Sequence, residues 1–322
     1  MLKLINLPRA VVAALILLGL AGCDPQPAPA PSTPPTRPRL LTEARQNFTT
    51  KLFRRETTGL PVPEPPPELF QLVYYPAPVG NLAAYLSRAP ADGKKHPAII
   101  WLTGGFANSI SELPWTSFSP DNDQSGSAFR QAGVITLYPS LRGGNTNSGC
   151  LEGCYGEVDD VLSAITFLAG RAEVDPQRIY LGGHSTGGTL ALLVAESTDR
   201  LRAVFAFGPV ADIRSYGAEN LPFSLNQPLE VELRSPGKWL AAIRTPTFLL
   251  EGAVQPSNID SLRQLARRNQ NSRIQFFGVA GVNHFSILAP ETRLIARKIL
   301  ADTNSVPNLS FQDEELSEAL FR

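Results

Sequence analysis

Gly183-His184-Ser185-Thr186-Gly187 lies between two apolar runs of opposite character. Arg178-Ile179-Tyr180-Leu181-Gly182 leads in with a β-branched and aromatic pattern, and Leu190-Ala191-Leu192-Leu193-Val194-Ala195 leads out with strong helix formers. The stretch therefore reads as a nucleophile elbow, a sharp strand-to-helix turn that lifts a serine out of the backbone. Such a turn strains the serine and brings the flanking chain so close that side chains two positions either side would collide. Gly183 and Gly187 remove those side chains, and Gly188 lets the helix start tight against a sheet. A phosphate-binding loop is the other glycine-rich option, but no lysine follows Gly188 where phosphates need one.

Outward from the elbow, strand-like runs alternate with helix-like ones. Leu72-Val73-Tyr74-Tyr75 and Leu82 to Leu86, joined around Gly80-Asn81, predict an opening hairpin. Further strands are predicted at Ala98–Leu102, Val134–Tyr138, Arg178–Gly182, Ala203–Gly208, Thr247–Leu250 and Ile274–Val279. Helices are predicted at Val158–Gly170, Thr189–Ser197, Asp260–Arg268 and Glu291–Leu300, with a short amphipathic one in Phe311–Phe321. This alternation predicts an α/β fold with a mostly parallel sheet covered by helices on both faces. Its chemistry belongs in the loops at the carboxyl ends of the strands.

The ends of the chain read differently. Lys3 and Arg9 precede an apolar run, Ala10 to Gly22, too short to span a bilayer, and Leu20-Ala21-Gly22-Cys23 resembles the lipobox of bacterial lipoproteins. The expectation is a signal peptide over residues 1–22, lipidation of Cys23, and a protein anchored to a bacterial membrane in the cell envelope, facing the periplasm or the exterior. A proline-rich tether is expected over 23–68, a folded domain over 69–303 and a tail over 304–322. Cys150 and Cys154 remain as a pair in an oxidising compartment, which predicts a short disulfide over two free thiols. Zinc would need further Cys or His ligands nearby, and no metal-ligand spacing appears. Formal net charge is zero and no basic run stands out beyond the signal, so nucleic acid is not an expected partner.

A serine hydroxyl needs a base, usually a histidine held by a carboxylate. Of the three histidines, His184 sits inside the elbow and His96 precedes a strand. His284, in Gly281-Val282-Asn283-His284-Phe285, follows the last strand and is the candidate base, giving the order Ser then His.

With these residues the chain, from about Leu72 to Leu300, resembles an α/β-hydrolase, closest to the prolyl oligopeptidase-like group and its dienelactone-hydrolase-like relatives. Thr103-Gly104-Gly105-Phe106 is similar to that family's Tyr-Gly-Gly-Phe loop, Arg142-Gly143-Gly144 to its Arg-Gly-Gly, and Pro209-Val210-Ala211-Asp212 to its Pro-Val-x-Asp. Ser235-Pro236 with Ile243-Arg244-Thr245-Pro246 is similar to its approach to the next strand.

The resemblance implies a serine hydrolase acting on a small ester or short peptide through an acyl-enzyme, with no cofactor. Thr103 stands where oligopeptidases carry an oxyanion-donating tyrosine, which leaves the N–H of Thr186 with one from Gly105 or Phe106 as the oxyanion donors. Gln255 stands where the family places the triad acid, in Gly252-Ala253-Val254-Gln255. Glu251 is the first substitute, Asp212 the second and Asp260 the third, since Ser257-x-x-Asp260 also reads as a capping box. Gln255 equally supports an alternative, an inactive lipoprotein that keeps the fold as a binding or scaffolding module.

Overall fold

The computed structural model describes residues 38–321. Residues 1–22, expected to be a signal peptide, Cys23, expected to be lipidated, and the proline-rich stretch up to residue 37 lie outside the described residues.

Eight strands form a single sheet: β1 (Phe70–Ala77), β2 (Gly80–Ser87), β3 (His96–Leu102), β4 (Ile135–Pro139), β5 (Val174–His184), β6 (Val204–Phe207), β7 (Thr247–Val254) and β8 (Ile274–Asn283). Their order across the sheet is β1-β2-β4-β3-β5-β6-β7-β8. The predicted hairpin is there, with Leu72 opposite Tyr85 and Tyr75 opposite Leu82. β2 also runs antiparallel to β4, and every pair from β4 to β8 is parallel. The helices are α1 (Leu41–Arg45), α2 (Ser127–Gln131), α3 (Glu157–Ala169), α4 (Thr186–Ala195), α5 (Pro228–Glu232), α6 (Ile259–Arg268), α7 (Leu288–Ala301) and α8 (Asp313–Ala319).

The period-2 alternation of the strands sorts the core into two layers. Ala98, Ile100 and Leu102 of β3 pack with the apolar sides of α3, α4 and α6. Ile99 and Trp101, one residue out of phase, pack on the other face with Phe129 of α2, Ile295 of α7 and Leu316 of α8. Burial on both faces is why these parallel strands read as nearly continuous apolar runs.

The topology also says where a ligand goes. β3 sits between β4 and β5, so the chain leaves β3 in one direction and crosses back to β5 in the other. The loops that follow β3 and β5 therefore diverge at a switch point, which opens a crevice at the carboxyl ends of the strands.

Two terminal segments are more deeply engaged than a tether and a tail. Within the stretch read as tether, Leu41 is fully buried and its N–H donates to the carbonyl of Glu196, while Arg45 pairs with Asp159 at 2.9 Å. Apolar residues hidden among the prolines and charges provide the hold. In the tail, Phe311 packs edge-on against Phe248 with ring centroids 4.8 Å apart, and Leu316 is buried behind it.

Candidate active site

Ser185 sits between β5 and α4 with φ 55° and ψ −116°, a conformation that a side-chain-bearing residue adopts only when its surroundings impose it. The imposing contacts are visible. The Ser185 N–H donates to the Phe207 carbonyl at 2.8 Å, and its carbonyl accepts from Thr189 N–H at 2.9 Å. A Cβ on Gly183 would lie 2.4 Å from the Gly187 carbonyl oxygen, and one on Gly187 would lie 2.2 Å from that of Leu102. The glycines of the elbow are thus a steric requirement.

His284 follows β8 and is buried. Its Nδ1 lies 3.0 and 3.2 Å from the two carboxylate oxygens of Glu251, a fully buried residue near the end of β7. Glu251 Oε1 also accepts from Ser257 Oγ at 3.0 Å and from the Asn258 N–H at 2.7 Å. Asn258 Nδ2 donates in turn to the Gly208 carbonyl at 2.8 Å. Glu251, accepting at Nδ1, holds the Nδ1–H tautomer of His284 and leaves Nε2 as the basic nitrogen. Among the described residues Ser185 Oγ makes no hydrogen bond. Catalytic hydrogen bonds of this kind commonly tighten only when substrate is bound.

The oxyanion candidates converge from two loops. Thr186 is the first residue of α4, where an N–H has no partner within the helix. Its Oγ1 donates to the Gly105 carbonyl, tying the elbow to the loop after β3. No acceptor among the described residues takes the N–H of Gly105 or Phe106. Free N–H groups beside a nucleophile are what a developing oxyanion needs.

A sequence model of the prolyl oligopeptidase family matches residues 121–232. The fold matches an acylaminoacyl peptidase solved in complex with Z-Gly-Gly-Phe-chloromethyl ketone, with TM-score 0.61 at 15% identity, covering 77% of this chain and 44% of that one. It matches a puromycin hydrolase with TM-score 0.59 at 18% identity, over 75% of this chain and 40% of the other. This is an α/β-hydrolase fold. A 2,6-dihydroxy-pseudo-oxynicotine hydrolase matches as well, with TM-score 0.55 at 14% identity, over 75% of this chain and 71% of that one. The chain spans about two fifths of the length of the acylaminoacyl peptidase and of the puromycin hydrolase.

Within the hydrolase fold, the other two carboxylate candidates lie apart from His284. Asp212 caps a short turn and binds Arg214, whose guanidinium holds its carboxyl below the usual range. Asp260 is exposed and pairs with Arg263 at 3.0 Å. Ser257 serves Glu251 and the Ile259 N–H, so the expected capping box with Asp260 is not made. Gln255 is exposed and accepts from the Ser257 N–H.

The disulfide expected between Cys150 and Cys154 is not formed, and both are free thiols. Cys154 has φ 69° and packs with the apolar group around Ile213, Leu221 and Phe223, where burial pushes its thiol up to about 12. Cys150 instead lies against Gly143, whose added Cβ would meet its backbone at 2.6 Å. Sequence spacing registered the pair but not that the loop turns them to different neighbours. No group of His, Cys, Asp or Glu able to hold a metal occurs among the described residues.

Two residues of the site escaped the sequence reading. Gly208, at the end of β6 with φ 56°, is one: a Cβ there would lie 2.4 Å from His284 Cε1 and 2.5 Å from Glu251 Oε2. His184 is the other. Its Nε2–H donates to the His284 carbonyl at 3.0 Å, and the two rings lie 4.4 Å apart. Burial, and after it the neighbouring His284, lowers the His184 pKa to about 3, so it stays neutral and anchors the backbone of the candidate base.

A pocket opens beside the elbow. Gly105, Phe106 and Thr186 form one side, and Leu141, Leu190 and Leu221 supply apolar wall. Tyr216, from the connection after β6, stands edge-on to Phe106 with centroids 5.5 Å apart. The same connection also contributes Ile213 and Asn220 to the lining. Trp115, in the loop after β3, packs on Tyr85 and Phe70 and does not line this pocket.

Proposed function

We propose that the protein is a serine hydrolase that cleaves an ester or peptide bond through an acyl-enzyme. The observation that carries this reading is a strained, half-buried Ser185 beside a His284 whose Nδ1 is held by the buried Glu251. In the first half-reaction His284 Nε2 takes the proton of Ser185 Oγ as the oxygen attacks the acyl carbon. The N–H groups of Thr186 and of Gly105 or Phe106 receive the oxyanion. As the tetrahedral species collapses, the C–O or C–N bond breaks and the leaving group takes the proton from His284. Water then repeats the sequence against the Ser185 ester and frees the acid.

The inactive-scaffold alternative draws on Gln255. Glu251, in hydrogen-bonding contact with His284, supports the active reading over it. The match to a prolyl oligopeptidase family model and the fold shared with an acylaminoacyl peptidase favour short peptides as substrates, with small esters alongside. The lipobox-like Leu20-Ala21-Gly22-Cys23 supports export and lipid anchoring in a bacterial cell envelope, with the domain facing the periplasm or exterior.

The direct test is labelling with a fluorophosphonate probe. Covalent modification that disappears in Ser185→Ala is expected, and a protein that takes no label at Ser185 is not a serine hydrolase.

A further inference from the structure

Glu157 opens α3 and lines the pocket beside the elbow, yet acyl transfer has no use for it. Its side chain is almost wholly buried. Oε1 is well served, accepting from the Glu152 N–H at 2.7 Å and from Asn108 Nδ2 at 3.0 Å. Oε2 is shielded from solvent and has no hydrogen-bond partner.

The nearby guanidinium does not answer it. Arg142 is committed to Asp160, with Nε to Oδ2 at 3.0 Å and Nη2 to Oδ1 at 2.8 Å, and its Nη1 binds Glu152 Oε1 at 2.7 Å. Arg142 acts on Glu157 through its charge alone, and burial still raises the Glu157 pKa. Buried polar atoms without partners are few in folded proteins, and one that lines a ligand pocket invites a partner from the ligand.

The rest of the lining narrows that partner's chemistry. Leu102, Leu141, Leu151, Leu190 and Leu221 make an aliphatic wall, and the oxyanion loop stands at the same pocket. An aliphatic wall combined with one unmet carboxylate oxygen is complementary to an apolar stem that ends in a hydrogen-bond donor of positive charge. A wholly apolar group would leave Oε2 unmet, and a carboxylate would be repelled.

We propose that Glu157 determines specificity in this pocket by pairing, through Oε2, with the ammonium group at the end of an aliphatic substituent on the acyl side of the substrate. The proposal rests on the serine-hydrolase reading of the site. A lysine-like side chain or an ω-amino acyl group has the required form.

The test compares p-nitrophenyl esters of ω-amino acids with n-alkanoate esters of equal chain length, using the full protein. At its best chain length the amino ester should have at least about tenfold higher kcat/KM than its neutral partner, as expected for a pocket that hydrogen-bonds its substrate. In Glu157→Gln that ratio should fall to one or below. In Glu157→Asp the preferred amino ester should be one methylene longer, which keeps the test open should Glu157→Gln fail to fold. Neutral esters favoured at every length, or an amino preference that survives in Glu157→Gln, would overturn the proposal. If no ester of either kind is cleaved, the hydrolase reading fails separately. Calorimetric titration with n-butylamine then decides the pocket: binding that is lost in Glu157→Gln upholds it, and no binding to the unmodified protein overturns it.

Discussion

A carboxylate earns the place of triad acid by geometry, and three residues competed for it. Glu251 meets the requirement because four groups bind its two oxygens or hold the loop around them: His284, Ser257, Asn258 and, through Asn258, Gly208. Asp212 is bound to Arg214 and Asp260 faces solvent. Glu251→Gln should therefore lower kcat by roughly 10³- to 10⁴-fold, because an amide neither stabilises the imidazolium nor enforces the Nδ1–H tautomer. Asp212→Asn and Asp260→Asn should leave kcat within about twofold. Steady-state kinetics of the three variants check this, and a loss confined to Asp212→Asn would reassign the acid. Ser185 and His284 were legible because local grammar marks them, a glycine-flanked turn in one case and a loop after the last strand in the other. The candidate acid was legible only as a choice, since a carboxylate on a strand carries no local signature. Gly208 and His184 were illegible for a related reason: each acts on His284 across a gap of many residues, and only the folded chain brings them there.

At the scale of elements, the irregular end of β7 explains how an acid four residues before the family position reaches the base. The β7–β8 register shifts between Gly252 and Val254, and the following loop brings the Pro256 carbonyl to the His284 N–H at 2.9 Å. Strand limits from sequence, Thr247 to Leu250 and Ile274 to Val279, stopped short of this extension, which carries Gly252 in β7 and Gly281 in β8, residues that interrupt an apolar run. The connection from β6 to β7 is held by an element that the sequence presented as tether. Arg234, fully buried, binds Glu230 Oε2 at 2.5 Å and Thr50 Oγ1 at 2.6 Å, and its guanidinium lies 4.0 Å over the Phe223 ring. Glu230 Oε1 also accepts from the Lys51 N–H at 2.6 Å, and Leu52 bridges to Phe223. Glu230→Ala would strand a buried guanidinium and release the segment around Thr50 in one step. Removing one partner of such a pair costs roughly 3–5 kcal/mol, so the urea midpoint should fall well below that of the unmodified protein. A shift equivalent to less than about 1 kcal/mol, the range of exposed pairs, would mean that water reaches Arg234 and that the segment is not fastened there.

For the whole molecule, the sheet was the most legible feature, because β3, β4, β6 and most of β7 are buried on both faces and so declare themselves as apolar runs. What binary patterning hid is the charge placed inside. His184 and Glu291 are both buried and both titrate away from their ordinary ranges, and they bias the pH dependence of stability in opposite senses. His184 is kept neutral down to about 3, so the unfolded chain binds more protons below its ordinary 6.5 and stability falls as pH drops from there towards 3. Glu291, in the first turn of α7 behind the candidate base, has no hydrogen-bond partner at either carboxylate oxygen among the described residues. Burial first, and Glu315 second, push its pKa from 4.5 to about 8, against the lowering effect of Arg297. Here the native state binds more protons, so the stabilisation is complete below 4.5 and is lost as pH rises through about 8. Glu291→Gln keeps the shape of the neutral acid and cannot ionise. Its Tm should run close to that of the unmodified protein near pH 5 and should exceed it by a margin that widens up to about pH 9. Thermal melts of the two proteins across that range decide the matter, since parallel curves would mean that Glu291 is solvated and already ionised at neutral pH. A widening gap would identify the unpartnered Glu291 carboxyl as one of the groups that set the alkaline limit of the fold, beside Glu196, whose pKa burial also raises.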